Sequence, residues 1–296
     1  MAVSLRCKLE DAFDREPTVA VSPLSVQLLL ESESVALRDV VCCGECKNES
    51  AEECAERTYL VFPYRGVYVR HLGGDDAVAE ANQVLFFNAD EGYRVSHPLV
   101  GGDACLSLWV TEPVVRELAP KTQLREGAPL AFRRQRLRID ARAQVLVALL
   151  RHGLRRKAVD TLQAETLVLT LVRRSLGERT SHAAGASAGR QKLVDRAKLA
   201  LSTDLGRRWT LAEIADEVGV SPVYLTQVFQ QVEAMPLYRY QLCLRLARAL
   251  DLLGQYDDLT ALGLDLGFSS HSHFSSAFRQ AYGRTPAEFQ RSARLR

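Results

Sequence analysis

Between Val19 and Val110 the apolar residues fall in short β-rich runs interrupted by Gly, Asn and Asp. The runs are Tyr59–Phe62, Gly66–His71, Gln83–Phe87, Tyr93–Ser96 and Cys105–Val110. Strands this short and this closely spaced predict an antiparallel sandwich or small barrel. Gly73 and Gly74, followed by Asp75, supply a hairpin turn between two of them. After about residue 139 the apolar period lengthens. Val145, Leu146, Leu149 and Leu150 form one stripe, and Leu162, Leu167, Leu169, Leu171 and Val172 form another. They predict two amphipathic helices, Ala141–Arg151 and Ala158–Leu176, separated by His152–Leu154. Such a hairpin can cover the β region and leave a seam for a second copy of the chain; the competing reading uses up both stripes within one chain. Residues 181–189 are small and flexible in type and read as an interdomain linker.

The last hundred residues repeat one pattern twice. In the first copy Thr210 and Glu213 form a capping box, Gly219 makes a corner, and Ser221 with Pro222 starts a second helix. Leu225, Val228 and Phe229 share one face of that helix and should pack inward, leaving Val223, Thr226 and Gln227 outward. In the second copy Gly267 is the corner, Phe274 and Phe278 should be buried, and His271, Ser272, Ser275 and Ser276 should be exposed. One extra residue follows Gly267, so Thr226 corresponds to Ser275 and Gln227 to Ser276. Each copy is a helix-turn-helix, whose second helix suits a DNA major groove. A helix over Pro236–Gln255 joins them. Its span of about 30 Å is close to one turn of DNA. Thr285 and Glu288 then cap a last helix that has Pro286 at its first position.

Residues 193–293 resemble the DNA-binding domain of AraC/XylS-family bacterial transcriptional regulators. The matching positions are Ile214, Ala215, Gly219, Ser221, Phe229, Arg245, Ala249, Leu252, Leu253, Gly267, Phe268, Phe274, Phe278, Arg279, Gly283 and Pro286. Three positions depart from the pattern. Ala234 stands where a Gly usually ends the first recognition helix, Gly263 where Ala is usual, and Ser276 where a basic residue is common. The resemblance implies an α+β protein: a cupin-like antiparallel β sensory domain over 1–125, a helical dimerisation hairpin over 126–180, a flexible linker over 181–190, and an all-α tandem helix-turn-helix domain over 191–296. It implies an effector-responsive activator, promoter DNA and RNA polymerase as partners, and a homodimer. DNA contacts are expected from Val223, Tyr224, Thr226, Gln227, His271, Ser272, Ser275, Ser276 and Arg279. Gln227 can pair bidentately with adenine, and the methyl groups of Val223 or Thr226 can pack on a thymine methyl. Arg207, Arg208, Arg239, Arg279 and Arg284 suit phosphates.

Charge is unevenly spread. Residues 1–120 carry 10 Lys/Arg against 20 Asp/Glu, whereas 121–189 carry 14 against 5 and 190–296 carry 14 against 11. The acidic front disfavours DNA binding there, and the basic remainder favours it. No secretory leader is evident, and Leu28–Leu30 is too short to span a bilayer, so a cytoplasmic protein without membrane contact is expected. Of the seven cysteines, Cys42, Cys43, Cys46 and Cys54 are clustered. Such a set is read as a zinc or copper site, a redox switch or plain free thiols, with His71, His97 and Cys105 as distant further ligands. The front region has only His71 and His97 and no close His pair. An enzyme is therefore not expected. The alternatives are a cupin-type metalloenzyme or a DNA methyl-acceptor protein fused to the DNA-binding domain, and the cysteine spacing is wrong for the latter.

Overall fold

The computed structural model describes residues 24–44, 48–127, 129–177 and 187–294, with side chains as far as 291. Among the described residues the strands are β1 (Leu24–Glu31), β2 (Val35–Cys42), β3 (Glu53–Cys54), β4 (Tyr59–Gly66), β5 (Tyr68–Leu72), β6 (Asp75–Ala79), β7 (Gln83–Phe87), β8 (Gly92–Ser96), β9 (Asp103–Val110) and, after the first helix, β10 (Arg136–Arg138). They form two antiparallel sheets in the orders β1-β2-β9-β4-β7-β10 and β3-β8-β5-β6. Four of the five runs read from the sequence lie within single strands, and Gly66–His71 straddles the break at Val67 between β4 and β5. Gly73 and Gly74, at φ 53° and 87°, turn β5 into β6 with Leu72 opposite Asp75. Both φ values are positive, as a two-residue hairpin requires.

The helices are α1 (Glu112–Leu118), α2 (Ala141–Arg155), α3 (Thr161–Leu176), α4 (Ala188–Thr203), α5 (Leu211–Glu217), α6 (Pro222–Glu233), α7 (Leu237–Leu252), α8 (Leu259–Asp265), α9 (His271–Tyr282) and α10 (Pro286–Arg294). Several expected boundaries move. His152–Leu154 is helical, and the break falls after Arg155, where Asp160 starts α3 with a capping box to Gln163. Strand β10 lies inside the stretch expected to be a helical hairpin, 126–180, and completes the edge of the larger sheet. α4 begins within the expected linker, 181–190; residues 178–186 lie outside the described residues. The helix between the two units has 16 residues, about 24 Å at 1.5 Å per residue rather than about 30 Å.

α2 carries the largest departure from expectation. Val147 and Leu150 join the core of the larger sheet, while Val145, Ala148 and Leu149 pack into the core of the second helix-turn-helix. Both faces of the α2 stripe are used within the chain. An amphipathic stripe shows how much surface a helix must bury but not against which neighbour. On α3 Leu162 remains 74 % exposed and Leu169 is also exposed.

Candidate nucleic-acid interface and its link to the β domain

The two helix-turn-helix units are built by the same local chemistry. Thr210 Oγ1 accepts from Glu213 N, and the Glu213 carboxylate accepts from Thr210 N at 2.7 Å, closing the capping box of α5. At the corner Gly219 takes φ 71°, Val220 N bonds Ala215 O, and Ser221 caps α6 through Tyr224 N. The second unit repeats this with Gly267 at φ 79°, Phe268 N bonded to Gly263 O, and Ser270 capping α9 through His273 N. The second recognition helix starts one residue later after its glycine, as the sequence register requires.

The helix faces divide as expected. Leu225, Val228 and Phe229 are buried in the first unit, and Phe274 and Phe278 in the second. Val223 is 68 % and Tyr224 45 % exposed; Thr226 and Gln227 stand beside them in the open. Thr226 Oγ1 donates to Pro222 O, so its methyl group is the part left for a partner. His271, Ser272, Ser276 and Arg279 are exposed on α9, whereas Ser275 is half-buried with its hydroxyl 3.2 Å from His271 Nε2. Among the arginines expected at phosphates, Arg208, Arg239 and Arg284 are exposed, but Arg207 is already engaged. Its guanidinium lies over Trp209 and pairs with Glu213 at 2.6 Å. Arg245 reaches the carbonyls of Leu205, Arg207 and Gly267, tying the linking helix to the second corner.

The two recognition helices end differently. α9 stops on Gly283 at φ 76°, but α6 stops on Ala234 at φ 51°. A left-handed alanine is strained by its Cβ. Ala234→Gly is therefore expected to raise stability by about 1 kcal/mol, read from the urea midpoint; an unchanged or lower midpoint would refute the strain.

A helix-turn-helix domain family matches residues 214–292. The chain is 26 % identical over 237 residues to the transcriptional regulator GadX of Escherichia coli O6:H1, covering 80 % of this chain and 83 % of that protein. Residues 214–292 are a helix-turn-helix domain of the AraC-type DNA-binding regulators. A segment of 96 residues is 38 % identical to the regulator ArgR of Pseudomonas aeruginosa, spanning 32 % of this chain and 29 % of that one. A solved AraC-type regulator from Chromobacterium violaceum aligns over 37 % of this chain and 98 % of its own, at 34 % identity and a TM-score of 0.35.

A buried polar cluster joins the β domain to this helix-turn-helix domain. Arg136 of β10 bonds Asp195 of α4 at 2.7 Å. Lys198 of α4, fully buried, lies 2.6 Å from Glu233 of α6 and 3.7 Å from Asp195. The Gln83 amide satisfies both neighbours when its oxygen faces Lys198 Nζ and its nitrogen Val78 O, 2.7 Å from each. From the loop after β6, Glu80 accepts from Tyr240 of α7 and from Asn82 N. Gln144 of α2 spans the same gap, donating to Ala81 O and accepting from Tyr282 of α9. Sequence reasoning missed this cluster because its charges are scattered singly among polar residues.

Burial raises the Glu80 carboxyl from 4.5 to about 7, with Lys198 opposing and Glu233 reinforcing the shift. The sign follows from linkage. Between these pH values the folded chain holds a proton that the unfolded chain has lost, so the Glu80 contribution to stability falls as pH rises from about 4.5 to 7. It is flat outside that window. The full change is about 3 kcal/mol. Glu80→Gln keeps an acceptor for Tyr240, and the difference in melting temperature between variant and parent should grow from pH 5 to pH 8. A pH-independent difference would contradict the assignment.

The expected metal ligands separate. Cys43 and Cys54 are exposed, Cys46 lies outside the described residues, and Cys105 is buried with its thiol pushed well up by burial. His71 bonds Asp76 and Ser96. Among the described residues the group of potential ligands that converges is Cys42, His97 and Asp103, with donor atoms within 4.8 Å of one another. Asp103, which bonds His97 Nε2 at 2.7 Å, was not among the expected ligands. That bond, with Cys42 beside the ring, pushes the imidazole up to about 10 against the opposing effect of burial. No helix among the described residues is long and apolar enough to cross a membrane.

Proposed function

We propose that this regulator reads promoter DNA with α6 and α9 together. Val223, Tyr224, Thr226 and Gln227 serve one major groove; His271, Ser272, Ser276 and Arg279 serve the other, with Ser275 orienting His271. The observation that carries this reading is the matched division of the two helices, whose apolar faces are buried while the proposed readers stand exposed on the other. Gln227 supplies the base discrimination, Val223 and Thr226 supply methyl contacts, and Arg279, Arg208, Arg239 and Arg284 meet phosphates.

The β domain is read as the sensor of a small molecule, metal or thiol signal. It passes its state to the DNA-binding domain through Arg136–Asp195, Glu80–Tyr240 and Gln144, because each of these bonds must change if the two domains shift. We place the homodimer contact on the outer face of α3, around Leu162 and Leu169, since α2 has no free apolar stripe. RNA polymerase is the further partner of an activator bound at a promoter.

The test is selection of duplexes from a random pool by the full chain, followed by binding titrations on the recovered site. Gln227→Ala is expected to cost about 1–3 kcal/mol on that site and to relax preference at one base pair. Equal affinity for recovered and scrambled duplexes would overturn the reading. An unchanged base preference in the variant would remove Gln227 from the readout.

A further inference from the structure

We propose that Cys42, His97 and Asp103 form a binding site for a divalent transition-metal ion, zinc being the best match, so that the β domain takes a metal ion as its signal. The inference rests on the reading of that domain as a sensor, but the site can be measured without DNA.

The geometry comes from the fold, not from proximity in sequence. Cys42 is the last residue of β2 and Asp103 the first of β9, and the two are direct cross-strand partners. Opposed residues on neighbouring antiparallel strands present their side chains on the same face of the sheet. His97 follows the last residue of β8 and closes the third side. Sulfur, imidazole nitrogen and carboxylate oxygen are the three donors that zinc uses in proteins. Ligands around a tetrahedral zinc stand roughly 3.4–3.8 Å apart at the usual bond lengths, so atoms already within 4.8 Å need only a small inward movement. A set with one thiolate and two harder donors does not suit copper(I), which prefers several sulfurs.

An independent observation points to a ligand. His97 is 5 % exposed, Asp103 holds its Nε2, and its Nδ1 is buried with no oxygen or nitrogen partner, the Cys42 thiol being the other group that interacts with the ring. A buried ring nitrogen is ordinarily partnered. A ligating histidine ordinarily has its other nitrogen fixed by a carboxylate. Nδ1 of His97 and Sγ of Cys42 are therefore the ligands common to any arrangement. Asp103 contributes either as a third ligand or through the bond it already makes. The approach is shaped by backbone rather than side chains. A Cβ on Gly102 would lie 2.1 Å from Cys42 O, and one on Gly44 2.7 Å from Gly102 Cα, so two glycine loops close directly against each other beside the site. Cys42 is half-buried, which leaves an entry path, and with at most three protein ligands the metal keeps a position for water or an exchanging ligand.

The site also has a route to the DNA-binding domain. Two residues beyond His97, Leu99 packs against the cluster of Val67, Val69 and Val78 in the β domain, and Leu199 of α4 packs against the same cluster. α4 carries Asp195 and Lys198 of the buried cluster. Drawing His97 toward a metal shifts Leu99 against the apolar cluster on which Leu199 of α4 also rests.

The experiment uses the full-length chain, purified under reducing, metal-free conditions and titrated with zinc against a competing chelator. Cobalt(II) serves as a spectroscopic probe. One equivalent of zinc and a thiolate-to-cobalt charge-transfer band are expected. Cys42→Ser should lose the band, His97→Gln should weaken zinc binding at least 100-fold, and Asp103→Asn about 10–100-fold. The double variant Cys43→Ser/Cys54→Ser should bind like the parent. Circular dichroism checks that each variant is folded; if Cys42→Ser is not, His97→Gln and Asp103→Asn carry the test. No binding by the parent overturns the site, as does binding that survives in the folded ligand variants or is lost in Cys43→Ser/Cys54→Ser. Affinity for the selected duplex should change at least threefold on adding zinc to the parent and not to His97→Gln. Metal binding that leaves DNA affinity unchanged removes the signalling role, whereas absence of any duplex preference would sink the regulator reading and leave the metal result standing.

Discussion

Lys198→Met is expected to destabilise the DNA-binding domain by about 3–5 kcal/mol, the usual effect of removing one member of a buried ion pair. Lys198 is fully buried and sits 2.6 Å from the equally buried Glu233, with Asp195 3.7 Å away. Asp195 keeps Arg136 as a partner when the ammonium is removed; Glu233 loses its closest cation. The side chain of Met fills similar space, so the loss reads the charge rather than a cavity. Adding Glu233→Gln to Lys198→Met should recover much of the loss, because a pair removed together leaves no uncompensated ion. Urea unfolding of the parent, both single variants and the double variant closes the cycle. A loss below about 1 kcal/mol in Lys198→Met, the range of exposed pairs, would mean that water reaches the cluster. Because the same cluster holds β10 against α4, the variant should also free the DNA-binding domain from the β domain, seen as faster proteolysis of the segment between them.

Gly267→Ala should be far more damaging than Gly219→Ala, although the two glycines occupy the same place in their units. Both have positive φ, 79° and 71°, and an alanine there carries a penalty of about 1–2 kcal/mol. Nothing lies within 4 Å of a Cβ built on Gly219, so its variant should lose only that amount. A Cβ on Gly267 would fall 2.2 Å from the Gly206 carbonyl oxygen and 2.8 Å from Arg245 Nη2. Backbone must move to admit it, which adds about 1–3 kcal/mol of overpacking strain. The Arg245 bonds to Leu205, Arg207 and Gly267 would be disturbed in the same step. The expected result is a melting temperature lowered much further in Gly267→Ala, with loss of DNA binding, while Gly219→Ala still binds. Equal losses in the two variants would show that the corner between α4 and α5 can yield.

The helix-turn-helix repeats were legible because each of their signals is local. Thr210, Glu213, Ser221, Pro222 and Gly219 act within one or two turns of chain, and Leu225, Val228 and Phe229 mark the inward face by period alone. The exposed set on α6 followed from the same period. The engaged state of Arg207 was not legible, since its partner Trp209 could equally have faced away. In the front half the strand runs were readable, but their pairing was not. Cys42 meets Asp103 only through the β2–β9 register, across sixty intervening residues. Cysteine spacing gathers Cys42, Cys43, Cys46 and Cys54 but carries no sign of Asp103.

Local pattern along the chain was enough for the tandem helix-turn-helix domain, the residues on its outward faces and an antiparallel β region before it. Capping, glycine corners and helical or strand period act over a few residues and leave the same mark in any fold. The tertiary structure alone decided that α2 serves two cores, that Arg136, Glu80, Asp195, Lys198, Glu233 and Tyr240 form one buried seam, and that Cys42, His97 and Asp103 converge. These depend on which surfaces meet, and an apolar stripe or a lone charge carries no record of the partner that will bury it.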